Sequence, residues 1–248
     1  GDDAHSKIIF DALNHISIDS SAVKISKNTN TGSAYIFVES SGKSLISLLS
    51  GANEMLREKD IYSNKELFNN TAFFIINTEV PLESVIVSAN LAKECGAKVI
   101  LKPSSSSHLP DELVKNVDIL VPNIDEINEI SPVKGSLEDM AHHFLNKGIE
   151  HVIITKGKKG CELFSNNYRK SFPAQDFQSV DSTGASDAFI SCLASYLLYG
   201  CNIKKSIEIA MYAAGFSVTR EGVVPSLIDK NTLENLIMKN NPKLLEDM

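Results

Sequence analysis

The chain has 248 residues, with 24 Lys and Arg against 31 Asp and Glu, for a formal net charge of −7. Hydrophobic residues make up 43% and charged residues 22%, which excludes a disordered or fibrous chain and allows a sizeable core. The acidic balance speaks against general nucleic-acid binding, because like charge repels a phosphate backbone.

In chain order, Ala4, Ile8, Ile9, Ala12, Leu13 and Ile16 recur at helical spacing, so residues 3–16 read as an amphipathic helix. Ala34–Val38 and Leu45–Leu49 then read as strands of a hairpin with its turn at 40–43, and Val23–Ser26 as a third strand beside them. From residue 72 strands and helices alternate. Ala72–Ile76, Lys98–Leu101, Val117–Val121 and His151–Thr155 are short apolar strands. Pro81 suits the first turn of a helix that carries Val85, Ile86, Ala89 and Ala92 on one face. Further helices fall at 124–130 and 137–146, and three more near 185–199, 203–219 and 231–238. Continuous apolar strands between helices imply an α/β fold, with a parallel sheet covered on both faces. Ser104–Ser107 reads as a loop after a strand.

The longest apolar run, Ala188–Tyr199, is interrupted by Ser191 and Ser195, and falls short of the roughly 20 residues a membrane helix needs. No basic segment with an apolar run behind it precedes the first helix, so no secretory signal is expected. Cys95, Cys161, Cys192 and Cys201 form no C-x-x-C pair, the pattern of reduced thiols in a cytoplasm. Gly42-Lys43-Ser44 lacks the first glycine of a P-loop, since Phe37 stands there, and no G-x-G-x-x-G follows a strand. His142 and His143 are adjacent and so point to different helix faces, which is not metal-ligand spacing.

The segment richest in chemistry is Val180-Asp181-Ser182-Thr183-Gly184-Ala185-Ser186-Asp187-Ala188. Small residues lead into a long apolar helix, so a ligand can approach the backbone and the N–H groups of the first turn. Asp187 in that turn suits a base that takes a proton from a hydroxyl. It suits equally a helix-start acid, with Asp181 or Thr183 as the cap.

This segment resembles the D-T-x-G-A-G-D signature of the ribokinase (PfkB) family of carbohydrate kinases. Four more strings follow in the family's order. Thr78-Glu79-Val80-Pro81 resembles a sugar-binding strand end, and Pro122-Asn123-Ile124-Asp125-Glu126 is similar to the P-N-x-x-E segment. Thr155-Lys156-Gly157-Lys158-Lys159-Gly160 is similar to the T-x-G-x-x-G nucleotide loop, and Val218–Ser226 to the loop that closes the adenine and monovalent-cation region.

The resemblance implies a three-layer α/β/α kinase domain over residues 1–248 with a mostly parallel sheet, residues 21–50 contributing part of a small β-lid. It implies transfer of the γ-phosphoryl of ATP to a hydroxyl of ribose or a related sugar, with Mg2+ and a K+ ion. Asp187 would be the general base and would touch the sugar. Gly184, Ala185 and Ser186 would offer backbone donors to the phosphoryl charge, which matters where positioning and electrostatics dominate. Asn123 and Glu126 would govern phosphate and Mg2+, the latter through water, although an N-cap with a first-turn acid explains the same pair. Thr155, Gly157 and Gly160 would line the nucleotide, Glu79 would hold sugar hydroxyls, and Asp181, Thr183 and Ser226 would bind the monovalent cation. The lid implies a homodimer. No nucleic-acid or membrane partner is implied.

The sequence departs from the pattern at Ser186, where the family has glycine, at Lys102, where ribokinases have asparagine, and at Met211, where a polar residue is common. Gly1-Asp2-Asp3-Ala4 resembles a point inside the pattern, after the first strands. The sugar-binding aspartate and G-G-x-x-x-N motif of those strands are not among these residues. Two other readings stay open: a truncated or inactive paralogue that binds nucleotide or sugar without turnover, and a nucleoside kinase.

Overall fold

The computed structural model describes residues 1–38, 44–104 and 108–246, with the side chains of 36–38 and 44–46 excepted. The turn expected at 40–43 and most of the serine loop at 104–107 lie outside the described residues.

Helix α1 (Ala4–His15) is capped by Asp3, whose side chain accepts the Ser6 N–H. The hairpin strands β1 (Ser33–Val38) and β2 (Ser44–Leu49) pair antiparallel as a separate two-stranded sheet. Val23–Ser26 adds no strand to it. The segment is held by a turn from Ser20 and by the Lys24–Asp60 ion pair at 2.7 Å, with Val23 and Ile25 exposed. Propensity alone does not make a strand.

A short helix α2 (Glu58–Tyr62) leads to the main sheet, which has six strands in the order β3-β4-β5-β6-β7-β8. Strands β3 (Phe73–Asn77), β4 (Lys98–Lys102), β5 (Ile119–Leu120) and β6 (His151–Thr155) are parallel. Strands β7 (Cys161–Ser165) and β8 (Tyr168–Phe172) continue antiparallel as a meander that the sequence reading left out. The two faces follow from alternation along each strand. Val99 and Leu101 pack with α3 (Leu82–Glu94), and Val152 and Ile154 join the same core with α5 (Ile124–Ile130) and α6 (Leu137–Leu145). Ile100 and Ile153 face the opposite core with α7 (Ala185–Leu198), α8 (Ile203–Ser217) and α9 (Lys230–Asn240). Beside α3, α4 (Asp111–Val114) adds Leu113 and Val114 to the first core. The result is a three-layer α/β/α fold with both sheet faces covered. Because the parallel strands point the same way, β3 to β6 all end on one side of the molecule. That is where an open α/β sheet places its ligand crevice.

Candidate active site

The strand ends are tied to one another. Thr155 N–H, at the end of β6, donates to the Pro122 carbonyl at 2.9 Å, and Asn123, past β5, forms a parallel bridge with Thr155. Thr78, just past β3, donates its hydroxyl to the Ser104 carbonyl past β4. Asn123 is the N-cap of α5. Its Oδ1 accepts the Glu126 N–H at 2.8 Å, and Glu126 Oε2 accepts the Asn123 N–H at 2.8 Å. The pair is therefore a capping box. That structural role is fully met, and it also fixes the Glu126 carboxylate. Lys102, at the end of β4 and 9% exposed, donates to both Glu126 oxygens. Sequence reasoning saw Lys102 only as a departure. No local pattern signals it, because its partner lies 24 residues away and is met only through strand adjacency.

Asp187 sits in the first turn of α7, facing solvent while the surrounding chain crowds its carboxyl. Burial pushes the carboxyl above its ordinary value, and the Lys102 ammonium draws it back part of the way. The cap of α7 is Gly184 in the left-handed conformation, with φ at +82°, and no side chain caps the helix. Neither Asp181 nor Thr183 is that cap: the turn between Ser182 and Ala185 makes Gly184 the N-cap and leaves both residues before it. Ala185 N–H donates to the Ser182 carbonyl at 3.3 Å. The helix start leaves the next N–H groups without intrahelical acceptors. Ser186 lies within helical backbone and not at positive φ, so the serine costs no strain where a glycine is usual.

Asp181 instead joins two loops. Its Oδ1 accepts the Thr183 N–H at 2.9 Å and its Oδ2 accepts the Gly222 N–H at 3.3 Å, which hold its carboxyl below the ordinary range. Ser226 is buried and donates to the Val223 carbonyl at 2.7 Å. The expected nucleotide loop is a tight turn between β6 and β7: Gly157 starts a 3-10 turn and Gly160 has φ at +83°. Lys156 is pinned to Glu162 at 2.6 Å, and Arg169 holds the other Glu162 oxygen at 2.9 Å.

Glu79 stands apart from these. It is exposed past β3, and its N–H donates to Asn77 Oδ1 at 3.0 Å. It lines a cavity of about 1270 Å³ between the β1–β2 sheet and the start of α3, with Asn53, Arg57 and Ser84. Of the expected site residues only Glu79 reaches that cavity. Among the described residues no group of three or more His, Cys, Asp or Glu is placed to hold a metal ion. A single carboxylate with phosphate oxygens and water is still a sufficient donor set for Mg2+, and Glu126 supplies one.

Residues 1–230 match the family model of the pfkB family carbohydrate kinases. The chain is similar to the ribokinase of Haemophilus influenzae, 32% identical over 243 residues, covering 95% of this chain and 79% of that one. It is similar to the ribokinase of Staphylococcus aureus, 30% identical over 232 residues, with 92% and 76% covered. Among solved structures it is similar to that of Arabidopsis thaliana ribokinase complexed with ribose and ATP. That structure shares a TM-score of 0.88 and 27% identity, with 96% of this chain and 79% of the other covered. Among the described residues no helix is long and apolar enough to cross a membrane.

Proposed function

The chain belongs to the pfkB family of carbohydrate kinases, phosphotransferases with an alcohol acceptor, and from that premise we propose that it transfers the γ-phosphoryl of ATP to a hydroxyl of ribose or a related sugar, with Asp187 as general base. The observation that carries the reading is the placement of Asp187 in the first turn of an α7 that no side chain caps. A hydroxyl at that point meets a carboxylate, and the growing phosphoryl charge meets backbone donors of Gly184, Ala185 and Ser186. As the sugar oxygen bonds the γ-phosphorus and the bond to the ADP oxygen breaks, Asp187 takes the hydroxyl proton. Thr155, Gly157 and Gly160 form the turn on which the nucleotide lies, with Asn123 beside it.

Glu126 would hold Mg2+ through water, and the ion neutralises phosphate charge when bound. Asp181, Thr183 and Ser226 frame the monovalent-cation loop, supported by the Asp181 link to Gly222. Glu79 and the cavity it lines take the sugar, with the β1–β2 sheet as lid. Tyr35 and Leu49 are exposed on one face of that sheet and form the homodimer contact. The test is ATP consumption by the full-length protein with ribose, fructose, other sugars and nucleosides, in Mg2+ and K+. Turnover with a pentose is expected, and no turnover with any acceptor overturns the reading.

A further inference from the structure

Lys102 is a buried cation in a place the fold does not demand one. The residues before it in β4, Val99, Ile100 and Leu101, are fully buried and apolar, and an apolar side chain could end the strand as well. A buried ion pair repays its desolvation poorly, so the Lys102–Glu126 pair is weak as a stabilising device. Its position suggests another use. The ammonium holds both oxygens of Glu126 on one side. Its field also reaches the Asp187 carboxyl on α7. One positive charge thus stands between two carboxylates carried by different layers of the fold, at the end of the sheet where ligands bind. A polyphosphate entering that gap presents more negative charge than one carboxylate and several strong acceptors for the same three N–H donors.

We propose that Lys102 is a phosphate-binding residue: Glu126 holds its ammonium in the free protein, and the ammonium passes to phosphate oxygens when the nucleotide arrives. Glu126 is freed in the same exchange. In this arrangement Glu126 competes with the nucleotide for the lysine, and the lysine competes with any cation for Glu126. The inference rests on the reading that this chain binds ATP beside Asn123 and Thr155.

Calorimetric titration with metal-free ATP in EDTA, and with adenosine as a phosphate-free control, tests it. Lys102→Met is expected to weaken metal-free ATP about tenfold or more while adenosine stays within about threefold. Lys102→Arg keeps ATP affinity within about threefold of the wild type, because the charge is retained. Glu126→Gln removes the internal competitor and is expected to bind metal-free ATP about threefold tighter or more. ATP affinity equal in Lys102→Met and the wild type overturns the inference, as does a loss shared equally by adenosine. Should Lys102→Met fail to fold, Glu126→Gln decides alone: tighter ATP supports the exchange, and unchanged or weaker ATP overturns it. A wild-type protein that binds no ATP overturns the nucleotide reading itself and this inference with it, a result distinct from equal binding by both proteins.

Discussion

Val223 leans on Gly184. A Cβ added to Gly184 would stand 2.9 Å from Val223 Cγ1, and Gly184 has φ at +82°. The loop after α8 therefore closes against the entry of α7, and the Asp181–Gly222 hydrogen bond ties the same two segments. Gly184→Ala pushes on both the backbone and the loop. The left-handed conformation costs a non-glycine residue about 1–2 kcal/mol, which for a chain of this size lowers Tm by about 2–8 °C. The displaced α7 start carries Asp187 with it, so kcat is expected to fall more than nucleotide affinity. Thermal melting and steady-state kinetics check both, and an unchanged Tm would show that the loop does not constrain the cap.

The two glycines of the β6–β7 turn are expected to behave differently. At Gly160 a Cβ would lie 1.9 Å from the Phe172 carbonyl oxygen and 2.7 Å from the Ala174 nitrogen. Those are backbone atoms of the adjoining chain, and they cannot yield as a side chain does. At Gly157, φ is +54° and nothing stands within 4 Å. Gly157→Ala should therefore cost about 1 kcal/mol and leave a folded protein whose nucleotide affinity can be measured. Gly160→Ala should cost about 3 kcal/mol or more. Chemical denaturation of the two variants side by side gives the comparison, and equal stabilities would contradict it.

What could be read in the sequence was what repeats locally. The 14-residue α7 and 15-residue α8 announce themselves through long apolar periodicity, and the parallel strands through short apolar runs. The position of Asp187 at a helix start was legible because a small-residue string leads straight into an apolar run. Strands β7 and β8 were not, because Cys161–Ser165 and Tyr168–Phe172 mix charged and apolar residues. Their pairing depends on the turn at Gly160 that folds one back on β6. The ion pair of Lys102 and Glu126 was illegible for another reason: only the adjacency of β4 and β5 brings residues 102 and 126 together. Long-range electrostatics of this kind leave no period to detect.

Asp118 links pH to stability. Its side chain is 4% exposed. Burial pushes its carboxyl up, but the Lys93 ammonium at 2.8 Å, the Val99 N–H at 2.8 Å and the Lys98 ammonium at 3.1 Å outweigh that and leave it below its ordinary value. A depressed carboxyl stabilises the fold above its unfolded value of 3.8, and that stability is lost as pH falls through the lower folded value. Asp118→Asn is expected to lose about 2 kcal/mol at neutral pH, less than a fully buried pair, because both lysines reach solvent. Below that folded value the variant and the wild type should converge. Denaturation midpoints across pH measure this, and a gap that persists in acid would assign the loss to packing.

Asp187→Asn separates chemistry from binding. The amide keeps the shape of the side chain and cannot take the hydroxyl proton, so kcat should fall about 10³-fold or more. Nucleotide affinity should stay within about threefold, since the base touches the acceptor and not the adenine side. The wild-type rate should rise with pH along an acid limb set by Asp187. That limb lies above the ordinary value of 3.8, because burial raises this carboxyl. Stability should move the opposite way. A raised carboxyl favours the fold while protonated, and that contribution is lost as pH rises through its folded value. Ionised Asp187 is therefore a cost at neutral pH, and Asp187→Asn should melt at a higher temperature than the wild type at pH 7. The advantage should shrink toward acid, where the wild-type carboxyl is itself neutral. A variant that is inactive and also less stable at neutral pH would point to a structural role for the side chain, while wild-type turnover would remove Asp187 as the base.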